Sequence, residues 1–188
     1  MTTIQYDLGG GATFALPAHI AVKQLLDQLQ AQTIPGTRVS QYQIGQYAPG
    51  QGGVFVGDIL GDDGVTYGLI TDTDEDVGRA KWGPEGERDL SAWDGMGNTN
   101  RLLNESPAAK LASDYEADGH VDFYLPARRE LLIAMANVPH LFGKDSYYWT
   151  SSPYGSDYAW AVNFEYGFVT IYNRRDEFRV RPFRRFTY

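Results

Sequence analysis

No cysteine occurs in these 188 residues, and histidine occurs only three times. The first absence removes disulfides, thiolate nucleophiles, cysteine-based zinc sites and iron–sulfur clusters together, so the fold must rest on packing and hydrogen bonding. The second leaves any histidine-based metal site to His19, His120 and His140, which fall on different expected elements. Basic residues are outnumbered, 16 against 24 acidic, for a formal net charge of −8. Such a field repels phosphate backbones and anionic lipid surfaces, which argues against nucleic acid and membrane as partners. No apolar run approaches the roughly 18 residues of a spanning helix, and the N-terminus has no basic segment followed by an apolar one. The chain therefore reads as synthesised in the cytoplasm without a signal peptide. Association with a virion or a cell surface would follow a route that this sequence does not encode.

What is abundant points to a turn-rich β domain. Aromatic residues make up 14% of the chain, with 13 Tyr and 4 Trp beside 21 Gly, and tyrosine presents much rigid surface for little rotamer entropy. The first 35 residues stand apart. A short strand within Met1–Gly11 ends in three glycines, and Pro17 to Gln32 carries the stripe Ile20, Val22, Leu25, Leu26 and Leu29 of an amphipathic helix. This segment, residues 1–35, is expected to anchor the chain to a larger assembly or to make it a homo-oligomer, packing on its own domain being the alternative. Residues 36–188 form the main domain, with Thr33 to Gly52 as its lead-in.

Within that domain, Val54–Leu60 and Val65–Ile70 flank the turn Gly61-Asp62-Asp63-Gly64 as a hairpin. Asp72 to Thr99 reads as a long loop pinned by Trp82 and Trp93. Ser106 can cap a helix that has Pro107 in its first turn, and a second helix spans about Ala127 to Asn137. The last 43 residues alternate as short antiparallel strands separated by Gly, Ser, Asp and Asn clusters. Hairpin, loop, two helices and meander make an α+β fold.

Three stretches carry a family likeness: Gly119-His120-Val121-Asp122-Phe123-Tyr124-Leu125-Pro126-Ala127-Arg128-Arg129-Glu130-Leu131, then Tyr148-Trp149-Thr150-Ser151-Ser152, then Tyr158 to Phe164 with Arg179 to Arg184. In order and spacing they resemble the C-type-lectin-like domains of bacterial and phage surface proteins, which are related to formylglycine-generating-enzyme-like folds and to retroelement-diversified variable proteins. The likeness runs from about Gly53 to Phe186. It implies two helices packed on short antiparallel strands, and ligand recognition at a variable C-terminal surface. The family places Ser or Thr where Ala127 stands, so the second helix lacks its usual side-chain cap. Its Leu131, Leu132 and Met135 should point inward, while Arg128, Arg129 and Glu130 face water. Trp149 and Trp160 are expected in the core rather than at a ligand. Arg179, Arg181 and Arg184 are expected to pair with the surplus carboxylates rather than form a basic patch.

No reaction can be assigned. The formylglycine-generating chemistry requires paired cysteines, Ser151 and Ser152 lack a nucleophile-elbow context, and no phosphate-binding glycine loop follows a strand. Asp72, Asp74 and Asp76 alternate as in a calcium loop, but Gly78 is one place late and Gly83 stands where the twelfth-position glutamate belongs, so a solvated acidic loop is expected and no cofactor or metal. The remaining candidate is a ligand surface. Tyr154, Ser156, Asp157, Tyr158 and Asn163, followed by Glu165, Tyr166, Phe168, Tyr172, Asn173 and Arg174, have the composition of a paratope. The expectation is a non-enzymatic receptor-recognition module for a protein or glycan on a target surface. A structural virion decoration or tail component is the alternative, and an unrecognised enzyme of the formylglycine-generating-like fold the second.

Overall fold

The computed structural model describes residues 3–7, 13–20, 22–23, 41–74 and 76–188, and the chain divides into two compact units, Met1–Val39 and Ser40–Tyr188. In the first, strands β1 (Thr3–Asp7) and β2 (Thr13–Pro17) form an antiparallel hairpin with Thr3 opposite Pro17. The expected single strand is thus a strand pair, and helical residues begin at 18, after the proline rather than at it. The remainder of the expected helix, including Leu25, Leu26 and Leu29, lies outside the described residues.

The second unit is α+β and contains two sheets. Strands β3 (Tyr47–Ala48), β4 (Gly53–Leu60), β5 (Thr66–Thr71) and β11 (Phe183–Phe186) build one, in the order β11-β5-β4-β3. The other has the order β6-β10-β7-β8-β9, from β6 (Arg79–Lys81), β7 (Tyr147–Tyr154), β8 (Tyr158–Asn163), β9 (Phe168–Asn173) and β10 (Glu177–Arg179). The expected hairpin of β4 and β5 forms. The terminal run is not one meander, however, because β10 inserts parallel to β7, with Arg179 opposite Tyr148, and β11 crosses to the first sheet.

Three α-helices, rather than two, accompany the sheets: α1 (Gly95–Leu102), α2 (Pro107–Ser113) and α3 (Arg128–Asn137). Helix α2 starts as its sequence implies, with the Ser106 hydroxyl accepting from Ala109 N–H at 3.0 Å. Helix α1 and strand β6 occupy what the sequence presents as a long loop. The run GMGNTNRL is poor in helix formers, but Asp94 caps Gly97 N–H at 2.9 Å, and Asn98 bonds both the N–H and the carbonyl of Ser91. Tertiary hydrogen bonds thereby outweigh local preference.

Helix α3 replaces its missing cap from elsewhere. Ser152 Oγ accepts from Arg128 N–H at 3.0 Å, Ala92 O accepts from Arg129 N–H at 2.8 Å, and the Glu130 carboxylate turns back to accept from Ala127 N–H at 2.7 Å. Glu130 is therefore fully buried rather than solvent-facing, taking Gly95 N–H and the Tyr124 hydroxyl as well. Opposite this helix, Gly57 (φ 128°) relieves a bulge in β4, and a Cβ there would lie 2.6 Å from Asn137 Nδ2.

The five-stranded sheet is buried on both sides over its centre. Tyr148 and Val162 face a cluster with Val56, Leu131, Phe142 and Phe183, while Trp149, Ala159 and Ala161 face one with Trp82, Leu102, Leu125 and Val180. The expected pairing of the terminal arginines holds: Arg179 binds Asp76 and Asp145, Arg181 binds Asp72, and Arg184 binds Asp122.

Candidate functional site

One end of the five-stranded sheet carries exposed aromatic surface. Strands β7 and β8 are joined by Gly155-Ser156-Asp157, with Gly155 at φ 58°. Directly opposite residues of an antiparallel pair share a face, so the register sets Tyr154 and Tyr158 side by side, Asn173 next to Tyr158, and Ile171 next to Trp160. Tyr154 and Tyr158 remain 50% and 43% exposed. Trp160, expected in the core, is only half-buried: its ring meets that of Tyr154 edge-on at 5.5 Å, and the Arg128 guanidinium lies 4.5 Å above it. Farther along the same face, Val162 and Tyr148 are sealed in the core, so the open patch is the part of the face past the N-terminus of α3.

Arg174 does not reach solvent. Its guanidinium is fully buried, donating to Tyr158 O at 3.1 Å, Pro84 O at 3.1 Å, Gly86 O at 2.8 Å and Gly155 O at 2.7 Å, and it stacks 4.5 Å over Trp82. The expected ligand contact is instead a bracket that clamps the β7–β8 turn to the loop after Trp82. Gly86 N–H donating to Ser156 O, and Arg174 N–H to Asp157 O, complete the clamp.

The other candidates separate into different places. Asn163 is buried, its Oδ1 accepting from Glu165 and Tyr166 N–H, and so shapes a turn rather than a binding surface. Tyr172 is half-buried on the opposite face, its ring 4.6 Å from Tyr147 and 4.7 Å from Phe178. Glu165, Tyr166 and Phe168 are exposed, but at the far end of β8, about 16 Å from Tyr158 at the usual rise of a strand. Ser156 and Asp157 are half-buried in the turn and hydrogen-bonded to each other. What the structure brings together is Tyr154, Tyr158 and Asn173, with Trp160, Ile171 and Arg128 added. Trp160 shares strand parity with Tyr158, so its signal was present in the sequence. Arg128 carries none, because only the tertiary fold brings the start of α3 over β8.

The acidic trio is dispersed. Asp72 is buried against Arg181 Nε at 2.7 Å, Asp76 binds Arg179 and caps Gly78 N–H, and Asp74 is exposed. Among the described residues no group of three or more His, Cys, Asp or Glu is placed to hold a metal. A groove of about 490 Å³ lies between Tyr67, His120, Arg184, Arg185 and Phe186. Its two guanidiniums are already matched by Asp122 and Asp94, which leaves it close to neutral.

The family model of the Lcl C-terminal domain matches residues 78–184, a span that includes Arg128 and the whole aromatic patch. No curated protein matches the chain.

Proposed function

The chain belongs to the Lcl C-terminal domain family, and from that premise we propose that it is a non-catalytic, lectin-like ligand-binding module whose recognition surface is the aromatic end of β7, β8 and β9. The observation that carries this reading is the pair of adjacent, half-exposed tyrosines beside a tryptophan roofed by arginine. Flat rings with polar rims suit the apolar face of a sugar or an anchor residue of a protein, and Arg, Tyr and Trp supply most of the binding energy at such surfaces. The α+β architecture is, in this reading, the C-type-lectin-like arrangement that the sequence resemblance implies. Display on a phage particle or a bacterial surface, with residues 1–35 as the attachment, completes it.

The test is a panel of immobilised glycans and bacterial surface proteins probed with the whole chain. Tyr154→Ala and Tyr158→Ala should each weaken retention on any hit by about thirtyfold, equivalent to about 2 kcal/mol for a central anchor, with little change in Tm. If every hit survives both substitutions, the site lies elsewhere. The alternative of a structural component draws on one further observation: Tyr166 and Phe168, 65% and 56% exposed, form a second apolar spot away from the patch. Loss of binding on Phe168→Ala but not on Tyr154→Ala would favour it.

A further inference from the structure

With 24 acidic residues to 16 basic ones, a guanidinium on this chain has ample choice of carboxylate partners. Among the described residues, every arginine from Arg79 onward except Arg128 binds a carboxylate or a backbone carbonyl. The backbone N–H of Arg128 donates to Ser152 Oγ, but its guanidinium has neither kind of partner among these residues and lies over the Trp160 ring. Carboxylates in its neighbourhood are engaged elsewhere. Glu130 turns inward to Ala127 and Gly95 N–H, Asp62 binds Arg129, and Asp157, in the turn beside the patch, accepts from the Ser156 hydroxyl.

We propose that Arg128 is the charge reader of the recognition surface, and that the partner is a protein segment in extended conformation, with a carboxylate side chain two positions from an apolar one. The inference rests on the reading of the aromatic patch as the ligand surface. A guanidinium stacked on an indole keeps its edge for an acceptor lying in its plane, and a carboxylate matches that fork of N–H donors with two parallel bonds. The matched arginines cannot offer such an edge without giving up an internal bond.

Spacing selects an extended peptide. Tyr158 and Trp160 share a face of β8 two residues apart, a rise of about 7 Å, and the same rise separates alternate side chains of an extended chain. An acid and an apolar residue so spaced reach Arg128 and the Tyr154–Tyr158 pair together, with Ile171 beside Trp160 as apolar floor. A sugar ring is less well served, because Arg128 covers Trp160 and the Tyr154 ring meets it edge-on. Polyanionic glycans repeat their charge along their length. One unmatched guanidinium on a chain of −8 answers a single carboxylate, and the field of the remainder repels the rest.

The experiment passes the whole chain over immobilised short peptides carrying Glu-Thr-Leu, Glu-Thr-Phe or Glu-Thr-Tyr, each beside its Gln twin, and over sialyllactose beside lactose. The wild type should hold at least one Glu peptide about tenfold more tightly than its twin. Arg128→Gln leaves the backbone bond to Ser152 and the helical preference in place, so it should abolish that difference with circular dichroism unchanged. Arg128→Lys keeps the charge without the fork and should retain only part of it, which decides the matter should the glutamine variant not fold. A wild type without Glu preference, or a preference that survives both substitutions, overturns the proposal. So does discrimination confined to sialyllactose, which would make the carboxylate a sugar's. Tyr154→Ala should weaken both twins alike. Retention that falls with Tyr154→Ala but ignores Arg128 overturns this inference and leaves the recognition surface standing, whereas retention indifferent to both overturns the reading beneath it.

Discussion

Replacing Glu130 by glutamine isolates the contribution of a single buried proton. The carboxyl group is out of contact with water, and burial pushes its pKa up to about 7 from the ordinary 4.5, against the opposing pull of the Tyr124 hydroxyl, Ala127 N–H, Arg185 and Gly95 N–H. A folded-state pKa above the unfolded one means that the native state holds a proton the unfolded chain has released. The associated stability is complete below pH 4.5 and is lost as pH rises through 7. At 1.36 kcal/mol per unit, the 4.5-to-7 interval amounts to about 3 kcal/mol. Glutamine mimics the protonated acid: its carbonyl can take Ala127 and Gly95 N–H while its amide donates to the Tyr124 oxygen. Denaturant unfolding followed by tryptophan fluorescence should therefore find the wild type and Glu130→Gln of similar stability near pH 4.5, and the variant ahead by about 3 kcal/mol at pH 8. Asp72, also pushed up to about 7 by burial despite Arg181, contributes the same sign to both proteins and cancels in the difference. A variant that trails the wild type equally at both pH values would refute the reasoning, because it would mean that Glu130 works as an anion. Glu130→Ala is the structural control. It orphans two backbone donors and a hydroxyl at about 1–3 kcal/mol each, enough to unfold a domain of ordinary stability.

Two further outcomes follow from buried arginines. Arg174→Ala should cost about 3–5 kcal/mol in chemical denaturation, and Arg174→Lys most of that, since one ammonium cannot reach four carbonyls in different directions; a shift below about 1 kcal/mol would return Arg174 to the ligand surface. Millimolar calcium should move the Tm by less than about 1 °C, because Arg181 and Arg179 already engage Asp72 and Asp76; a calcium-induced rise of several degrees would show that the trio does converge.

The elements legible in the sequence are those whose causes are local. Ser106 and Pro107 announce α2 within four residues, the turn Gly61-Asp62-Asp63-Gly64 announces the hairpin, and the alternation of β8 sorts its side chains onto two faces. What stayed hidden depends on distant partners. Helix α1 exists because Asn98 and Thr99 find Ser91, Ser151 and Leu125. The burial of Glu130 depends on Gly95, 35 residues away, and that of Arg174 on Pro84, 90 residues away. Composition alone gathered Tyr154, Asn163, Tyr166 and Arg174 into one surface, whereas the register of β8 puts them at two ends and two depths.

The division of labour among these residues bears on what the surface can do. The arginines of the C-terminal stretch act as a clasp, tying β10 and β11 and the turns beside them to Asp76, Asp145, Asp72, Leu141, Asp122 and Asp94, so most of the strong directional bonds near the site belong to the scaffold. The patch residues carry few of them. Neither Tyr154 nor Ile171 contributes to the buried clusters, and Asn173 closes its own turn, its Oδ1 accepting from Arg175 N–H and its carbonyl from Asp176 N–H. A recognition surface that changes between relatives has to hang on contacts that do not change, otherwise each new ligand residue would also be a folding mutation. Here Arg174 sits next to Asn173 in the chain yet faces the opposite way, into the clamp, and Trp149 and Ala161 hold the reverse side of the same strands. Surface and scaffold are thus interleaved in sequence and separated in space. That arrangement is what the binding face proposed above would require if it were diversified, and a packing interface, whose residues must stay complementary to a fixed partner, does not require it.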